Sequence, residues 1–328
     1  MDKVAVHPPV KDNPAGRAAR GRHLQGFVLQ SPAVILLLLW SVVPLLMTLW
    51  YSVRNYNLVD PTQQGFAGIN NYWYLLTDPD FMTSLENTAI LVGGVLAISV
   101  GLGTLLAVLY NEEFAGRGIA RILVISPFFI MPTVAALLWK NLMLHPIYGV
   151  YSAMMRAVGL TPIDWLSRYP LATLVMIVAW EWLPFAVLIL LTAIQSLDTE
   201  QKEAARMDGA GMVAQFINIT LPHLSRAITV VIMIETIFLL TIFAEISVTT
   251  AGGPGVASTN LAFLIYSRAL LQFDVGGASA GGVVAMAIVR DLFGGRGNDR
   301  AIEQDAAGAH RFETGDGAQH RGLAAAGF

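Results

Sequence analysis

The sequence predicts an all-α integral membrane protein with six transmembrane helices, of which the sixth is marginal. Two observations carry this prediction. The chain has 328 residues, of which 55% are hydrophobic and only 13% are charged, whereas an average soluble domain carries about 25% charged residues. The apolar residues also form runs of about 20, the length that an α-helix needs to cross a bilayer. Since lipid offers no hydrogen-bond partner to a bare backbone, these runs must be helical.

Five apolar segments are clear transmembrane candidates. They are Pro32–Tyr51, Thr88–Tyr110, Ile122–Met143, Leu171–Ala193 and Ala227–Val248. Pro44, Pro132 and Pro184 fall inside these spans, where neighbouring helices often tolerate a kink. The sixth candidate, Val275–Val289, is rich in glycine and covers only about 22 Å at 1.5 Å per residue. The transmembrane domain is therefore predicted over residues 31–289.

The distribution of Lys and Arg predicts a cytoplasmic N-terminus, because cytoplasmic loops carry the excess of positive charge. With this orientation the cytoplasmic segments hold ten Lys and Arg residues and the outer segments hold four. Residues 1–30 are then a basic cytoplasmic tail. The apolar run after this tail lacks a small-residue cleavage site, which indicates an uncleaved first helix. The loop 196–226 is also predicted to be cytoplasmic.

The last segment, residues 290–328, differs in composition from the rest. It is dominated by Gly, Ala, Arg, Asp and His, and it shows no apolar periodicity. Such a composition cannot bury a core, so the segment is predicted to be disordered. An out-of-frame translation of GC-rich DNA from about Met286 and a divergent regulatory tail are the two hypotheses, and resequencing the gene would distinguish them.

Several classes of function are excluded by what the sequence lacks. A net charge of -3 gives no indication of a nucleic-acid partner. The absence of cysteine excludes thiolate metal sites and thiol nucleophiles, and His145 and His223 have no second ligand at metal spacing, so no metal site is expected. None of the four lysines lies in a Gly-Lys-Ser/Thr sequence. The chain therefore lacks the phosphate-binding loop of an ATPase.

The loop between the fourth and fifth spans predicts a compact helix–turn–helix. Asp198, followed three residues later by Gln201, resembles a capping box at the start of the first helix. Gly209 supplies the left-handed turn that ends it. A second short helix follows, and Pro222 is expected to close it. Small residues at the turn allow a partner backbone to approach closely.

The same loop contains a long and specific motif. The pattern Glu-Ala-Ala, three residues, Gly, nine residues, Ile, one residue, Leu-Pro is complete at Glu203, Ala204, Ala205, Gly209, Ile219, Leu221 and Pro222, while Asp208 and Ala210 match its commonest filling. The loop thereby resembles the EAA loop of binding-protein-dependent ABC importers.

This resemblance implies that the loop forms a coupling helix, which sits in a cleft on an ATP-hydrolysing subunit. Glu203 would make polar contacts to that subunit, and Gly209 would permit the turn. The remaining motif residues, Ile219, Leu221 and Pro222, would fix the second helix against the membrane domain. Closure of two ATPase subunits would then rock the spans from inward-facing to outward-facing.

Further segments resemble sugar-type permeases, specifically the member of the permease pair similar to the maltose and glycerol-phosphate permeases. They are Gly68–Tyr72, Asp78–Phe81, Asn87-Thr88, Thr250–Gly255, Tyr266 and Asp274–Gly276. The resemblance implies import of a sugar or polyol across the bacterial inner membrane by a multi-pass permease subunit. It implies as partners a second permease subunit, two ATPase subunits, an extracytoplasmic solute-binding protein and the bilayer. ATP and Mg²⁺ would act on the ATPase subunits, and no cofactor would bind this chain.

Polar residues inside the spans are the candidates for a substrate pathway, because an acid at mid-bilayer usually faces a protein interior or a cavity. The candidates are Trp180, Glu181, Trp182, Glu235, Thr241 and Glu245. Glu181 between two indoles resembles a sugar site, and a structural hydrogen bond to the partner permease is the alternative. That alternative is favoured for Glu235. Glu245 lies near the outer end of its span, where solvation by water would explain it.

Two other functions are considered. An ion-driven secondary transporter would show paired broken helices in two repeated halves, which are not evident in the sequence. A membrane-embedded enzyme using Glu181 and Glu235 would need a convergent acid–base set, whereas the sequence shows isolated acids.

Overall fold

The computed structural model describes residues 14–60, 62 and 64–294. In chain order the helices are α1 (Pro14–Ser52), α2 (Asn70–Thr77), α3 (Pro79–Asn111), α4 (Arg117–Ile125), α5 (Pro132–Leu137), α6 (Val150–Ala157), α7 (Trp165–Arg168), α8 (Pro170–Gln195), α9 (Thr199–Met207), α10 (Met212–Gln215), α11 (Leu221–Leu239), α12 (Ala244–Thr249), α13 (Leu261–Tyr266) and α14 (Val275–Gly294). A 3₁₀ turn, Ser126–Phe129, follows α4, and π-helical turns at Leu138–Met143, Phe216–Thr220 and Ser267–Leu271 follow α5, α10 and α13. Two short strands, β1 (Arg54–Asn55) and β2 (Gly65–Phe66), pair antiparallel.

The predicted tail, residues 290–328, falls largely outside the described residues. Helix α14 nevertheless extends to Gly294, beyond the predicted limit of Val289. Its 20 residues give a length of about 30 Å, close to the thickness of the hydrocarbon core. At the other end of the chain, α1 begins at Pro14, within the predicted tail of residues 1–30.

The fold class is confirmed, since the described chain is mainly long apolar helices. Within the described residues, four helical segments are long and apolar enough to cross a membrane, namely Gln30–Ser52, Pro79–Asn111, Pro170–Gln195 and Met212–Leu239. A bent pair of helices supplies a fifth crossing if it is counted as one span. Six spans are consistent with this arrangement when α14 is included.

The core lies between α3 and α8, which pack along much of their length. Buried aliphatic side chains from both helices fill the contact, among them Leu91, Leu174 and Leu190. Close approach depends on glycine in α3, because a Cβ atom at Gly103 would lie 2.9 Å from the Cβ of Ala186. Small residues serve the same purpose at other helix contacts in membranes. Helix α11 completes the core by packing on both α3 and α8.

The third span is broken, which corrects the prediction of one helix over Ile122–Met143. Its two halves, Arg117–Phe129 and Pro132–Met143, meet at 101°. Pro132 occupies the start of the second half, where the missing backbone N–H has no role in helix hydrogen bonding. The proline therefore begins a helix and does not merely kink one.

The fifth span also departs from its prediction, Ala227–Val248. It is helical from Met212 to Leu239, breaks over residues 240–243, and resumes as the short helix α12. Pro222 does not close a second short helix as predicted. It lies in the first turn of α11, directly after the π-helical turn Phe216–Thr220, which rearranges the backbone hydrogen bonds so that the helix passes through the proline.

Polar contacts connect helix ends at the side opposite the loop 196–226. The Asn71 side chain donates to the carbonyl oxygens of Ser52 and Arg54 at 3.0 and 2.9 Å. The backbone N–H of Gly276 donates to the Tyr56 carbonyl at 3.1 Å, and Arg268 pairs with Asp78. The segments that resemble sugar-type permeases therefore tie α1, α2 and α14 together.

Candidate coupling loop and transmembrane pathway

Helix α9 has the boundaries that the loop sequence predicts. The Asp198 carboxylate accepts a hydrogen bond from the Glu200 backbone N–H at 3.0 Å and caps the helix. At the other end, Gly209 has φ 78°, the left-handed conformation that favours glycine. Its N–H donates to Arg206, and the Ala210 N–H donates to Ala205 at 2.9 Å. These two bonds form a Schellman motif, which satisfies the last carbonyls of the helix.

The motif residues of this loop are mostly exposed. Glu203, Ala204 and Asp208 are exposed, whereas Ala205 and Ala210 are half-buried. Two methionines on either side of the turn, Met207 and Met212, are each 88% exposed. Further along, Ile219 is half-buried, while Leu221 and Pro222 are exposed. The turn and its flanks thus expose acidic, small and apolar side chains to the surroundings of the described chain.

Two anchors hold the loop to the membrane domain. Leu224, at the start of α11, is fully buried. The His223 ring, through Nε2, contacts the Ala193 carbonyl oxygen at 3.0 Å and the Ser196 hydroxyl at 3.2 Å, so it joins the end of α8 to the start of α11. From the sequence, His223 was examined only as a possible metal ligand. Its role as a tether between the fourth and fifth spans was missed, because that role depends on how close the two spans lie in the fold.

A cavity of about 380 Å³ separates the loop from the end of α3. Asn111 and Glu112 line it from α3 and its C-terminal cap, and Arg206, Met212 and Gln215 line it from the loop. The loop is therefore attached through its two ends and is not packed solidly on the membrane domain beneath it.

The two broken spans meet α8 at the same level. The Trp182 ring lies 6.0 Å from the Phe128 ring, beside the break in the third span. It lies 5.1 Å from the Phe238 ring, just before the break in the fifth span. Non-helical backbone at membrane depth occurs where it is buried in protein or lines a cavity. The breaks thus mark the part of the domain best suited to a polar pathway.

The acids of α8 and α12 come together. Glu181 and Glu245 are 6% and 3% exposed, and their carboxyl groups lie close enough to influence each other electrostatically. The expectation that water solvates Glu245 is wrong, because the break after α11 turns α12 inward against α8. Among the described residues, Glu181 Oε1 has no hydrogen-bond partner. This carboxyl oxygen is buried, so it can accept a hydrogen bond from a solute only if the surrounding helices move.

Glu235 forms a second buried polar site, in α11. It is fully buried, and neither of its carboxyl oxygens has a hydrogen-bond partner within the described chain. The nearby Ser99 hydroxyl, from α3, is equally unpartnered there. The sequence favours a hydrogen bond between Glu235 and a partner permease. Because Glu235 is enclosed by its own chain, that bond would require α11 to move.

The two indoles beside Glu181 lie on different sides of α8. Trp180 packs against Trp139 with ring centroids 5.4 Å apart, whereas Trp182 joins Phe128 and Phe238. The two indoles therefore do not enclose a single sugar site around Glu181, because positions two apart on a helix point in nearly opposite directions. Thr241 is exposed in the break of the fifth span, where its hydroxyl donates to the Phe238 carbonyl at 2.8 Å.

Comparison with known proteins identifies the class. Residues 81–290 match the family described as binding-protein-dependent transport system inner membrane components. The chain belongs to this family. It is a permease subunit of a transport system and a multi-pass inner-membrane protein, which decides against the enzyme and the ion-driven transporter as alternatives.

Individual proteins that are similar to this chain are also permeases of transport systems. The chain is 35% identical over 251 residues to a probable ABC transporter permease protein, y4oQ, of Sinorhizobium fredii, covering 76% of this chain and 81% of the relative. It is 30% identical to the trehalose/maltose transport system permease protein MalF of Thermococcus litoralis, covering 80% and 89%. Among solved structures, a bacterial ABC transporter involved in the import of the acidic polysaccharide alginate matches with a TM-score of 0.70 and 25% identity, over 83% of this chain and 94% of that one.

Proposed function

We propose that this permease imports a sugar or polyol and that the loop 196–226 couples it to ATP hydrolysis on separate subunits. The observation that carries the coupling role is the capped helix α9 with its left-handed turn at Gly209, exposed at one end of the molecule. Glu203, Ala204 and Asp208 lie on its accessible surface. In this arrangement the N-terminus and the loop are cytoplasmic.

The proposed assembly contains a second permease subunit, two ATPase subunits and an extracytoplasmic solute-binding protein. ATP and Mg²⁺ act on the ATPase subunits. A solved alginate transporter supports this arrangement, since it forms a complex with a periplasmic protein that holds an alginate pentasaccharide. That chain shares 25% identity with this one and a TM-score of 0.69.

The proposed mechanism transmits motion of α9 along the fifth span. The helix from Met212 to Leu239 is continuous, so a displacement of the loop moves its far end. That end is the break at residues 240–243, next to the Glu181–Glu245 pair. Movement of α11 against α8 then alternates access to the pathway as a rigid-body change.

The pathway itself is proposed to run along α8 at the level of the two breaks. Trp182 supplies an aromatic face and Thr241 supplies a hydroxyl at the break. Glu181 and Glu245, which are buried, supply acceptors for hydroxyl groups once movement of the spans exposes them. Glu235 is enclosed and enters the pathway only if α11 moves. Trp180 faces the cluster around Trp139 and supports the outer half of α8.

The test is co-purification of the ATPase subunit from native membranes with tagged wild type and with Glu203→Lys. The charge reversal should abolish or strongly weaken recovery of the ATPase subunit, because the carboxylate faces the proposed interface. Glu113→Lys is the matched control, since Glu113 is also exposed and lies in the preceding loop on the same predicted side. Undiminished recovery with Glu203→Lys, or equal loss with both variants, would contradict the assignment of the loop.

A further inference from the structure

A polar cavity of about 510 Å³ lies at the end of the spans opposite the coupling loop. Its walls come from the π-helical turn of the third span, from α7, and from the end of α12 with the segment that follows it. Polar side chains supply much of the lining, namely Lys140, Asn141, His145, Ser167, Thr249 and Thr250. The cavity is separate from the pathway residues around Trp182.

The lining has a cation with unused donors. The ammonium group of Lys140 donates to the Val248 carbonyl at 2.8 Å, which leaves two of its three N–H groups. Across the part of the chain that the structure describes, Lys140 has no carboxylate partner within ion-pair distance. The side chain is half-buried, so its charge is only partly screened by water.

His145 adds a second donor. Its Nδ1 accepts a hydrogen bond from the Ile147 backbone N–H at 3.2 Å, so the neutral ring carries its proton on Nε2. Stacking on Tyr148, with ring centroids 3.5 Å apart, fixes the ring plane. The Nε2–H group remains available to a bound acceptor.

One acid, Asp164, lines the same cavity. Its two oxygens accept hydrogen bonds from the Ser167 backbone N–H at 3.2 Å and the Ser167 hydroxyl at 2.7 Å. A carboxylate has about four acceptor sites, so it can still accept from a hydroxyl group. The lining therefore offers a cation with free donors beside a carboxylate that takes hydroxyl donors.

We propose that this cavity binds a small solute that carries both an anionic group and hydroxyl groups. The class is that of sugar or polyol carboxylates, phosphates and sulfonates. The anionic group contacts Lys140 and His145, and the hydroxyl groups contact Asp164 and the threonines. This inference rests on the proposed import of a sugar or polyol and narrows the cargo to its acidic derivatives.

The test labels Lys140 with pyridoxal 5′-phosphate, an anionic aldehyde, in the complete transporter in right-side-out membrane vesicles. The aldehyde condenses with the lysine amine, releasing water, and added borohydride reduces the C=N bond to a C–N bond. The other lysines, Lys3, Lys11 and Lys202, lie in segments predicted to be cytoplasmic. Peptide mass spectrometry should therefore find the label at Lys140, and Lys140→Gln should remove it.

Protection from labelling identifies the ligand class. Glycerol 3-phosphate and glucuronate should slow labelling at least tenfold at concentrations where glycerol and glucose have little effect, because charge-assisted hydrogen bonds are the stronger ones. Asp164→Asn keeps a residue able to cap α7 but removes the negative charge. Inorganic phosphate should therefore protect Lys140 from labelling several-fold more strongly in this variant than in the wild type.

Leu160→Lys is the control, since Leu160 is 58% exposed and lies outside the cavity. This introduced lysine should be labelled without protection by any solute. Equal protection of Lys140 by charged and neutral solutes, or no labelling of Lys140, would overturn the proposal.

A lipid headgroup is the other source of an anionic group. In reconstituted phosphatidylcholine membranes, loss of labelling when phosphatidylglycerol is added, with no effect of the solutes, would assign the cavity to lipid and overturn the solute proposal. Recovery of the ATPase subunit from the same preparations shows whether the transporter is assembled. A failed protection test in assembled transporter therefore refutes the cavity assignment and not the importer.

Discussion

Two glycines of the coupling loop stand in the same turn with different backbones. Gly209 has φ 78°, whereas Gly211 has φ -69° and precedes α10 as its N-cap. Neither has a neighbouring atom within 4 Å of the position that a Cβ would take. If the same substitution has different effects on transport at the two positions, the cause is therefore the backbone conformation and not side-chain packing.

Gly209→Ser is expected to weaken coupling, because a left-handed conformation costs other residues about 1–2 kcal/mol. The end of α9 would shift, and ATP-driven solute uptake should fall several-fold. Gly211→Ser places a good N-cap residue at an N-cap and should leave uptake within about twofold of wild type. Uptake in membrane vesicles measures both, and an equal loss would remove the special role of the turn.

The acids show which residue properties the sequence could predict. The apolar runs placed Glu181 and Glu235 inside the spans and Glu245 near the outer end of its span. They did not predict that Glu181 and Glu245 meet, because that contact depends on where α11 stops and how α12 folds back. The helix and turn of the proposed coupling loop were easier to predict, since their motif lies within one continuous segment and needs no distant partner.

Among the described helices, α3 and α8 share the most extensive contact. Gly103 lies against Ala186, whereas Gly101, two residues earlier on α3, faces open space. These two positions allow helix packing to be separated from helix propensity.

Gly103→Ala is expected to destabilise the protein by about 1–3 kcal/mol, because the added methyl group forces the helices apart. Gly101→Ala should be neutral or stabilising by up to about 1 kcal/mol, since alanine is the better helix former. Thermal unfolding of the purified transporter in nanodiscs should give a lower midpoint for Gly103→Ala and an unchanged or higher midpoint for Gly101→Ala. A lower midpoint for both variants would argue against a tight contact at Gly103.

The breaks in two spans are the part of the fold that the sequence did not predict. Hydropathy reports whether a segment prefers lipid, and residues 130–131 and 240–243 are as apolar as a helix would be. The break in the fifth span is held by tertiary contacts, such as the 2.6 Å hydrogen bond from the Asn260 side chain to the Ile242 carbonyl. Such a contact joins residues from separate segments, and local sequence does not record it.

At the scale of the whole molecule, the proposed orientation can be tested directly because the chain contains no cysteine. Ala115→Cys lies in the predicted cytoplasmic loop after α3, and Leu160→Cys lies in the predicted outer loop before α7. Both positions are exposed. A membrane-impermeant maleimide applied to intact cells with a permeable outer membrane should label only Leu160→Cys.

Permeabilised cells provide the control, since both variants should then be labelled to similar extents. Labelling of Ala115→Cys alone in intact cells would show that the topology is the inverse of the proposed one. The loop 196–226 would then face away from any cytoplasmic ATPase, and the coupling proposal would fail with it.

The interruption of the fifth span at residues 240–243 also bears on how such a protein can diversify. The piece before the interruption follows the proposed coupling surface, and the piece after it carries Glu245 and borders the polar cavity near Lys140. Because the helix is interrupted between them, substitutions in the piece after the interruption need not alter the register of the piece before it. In evolution, related permeases can therefore acquire a new transported solute while retaining the same proposed contact with the ATPase subunits.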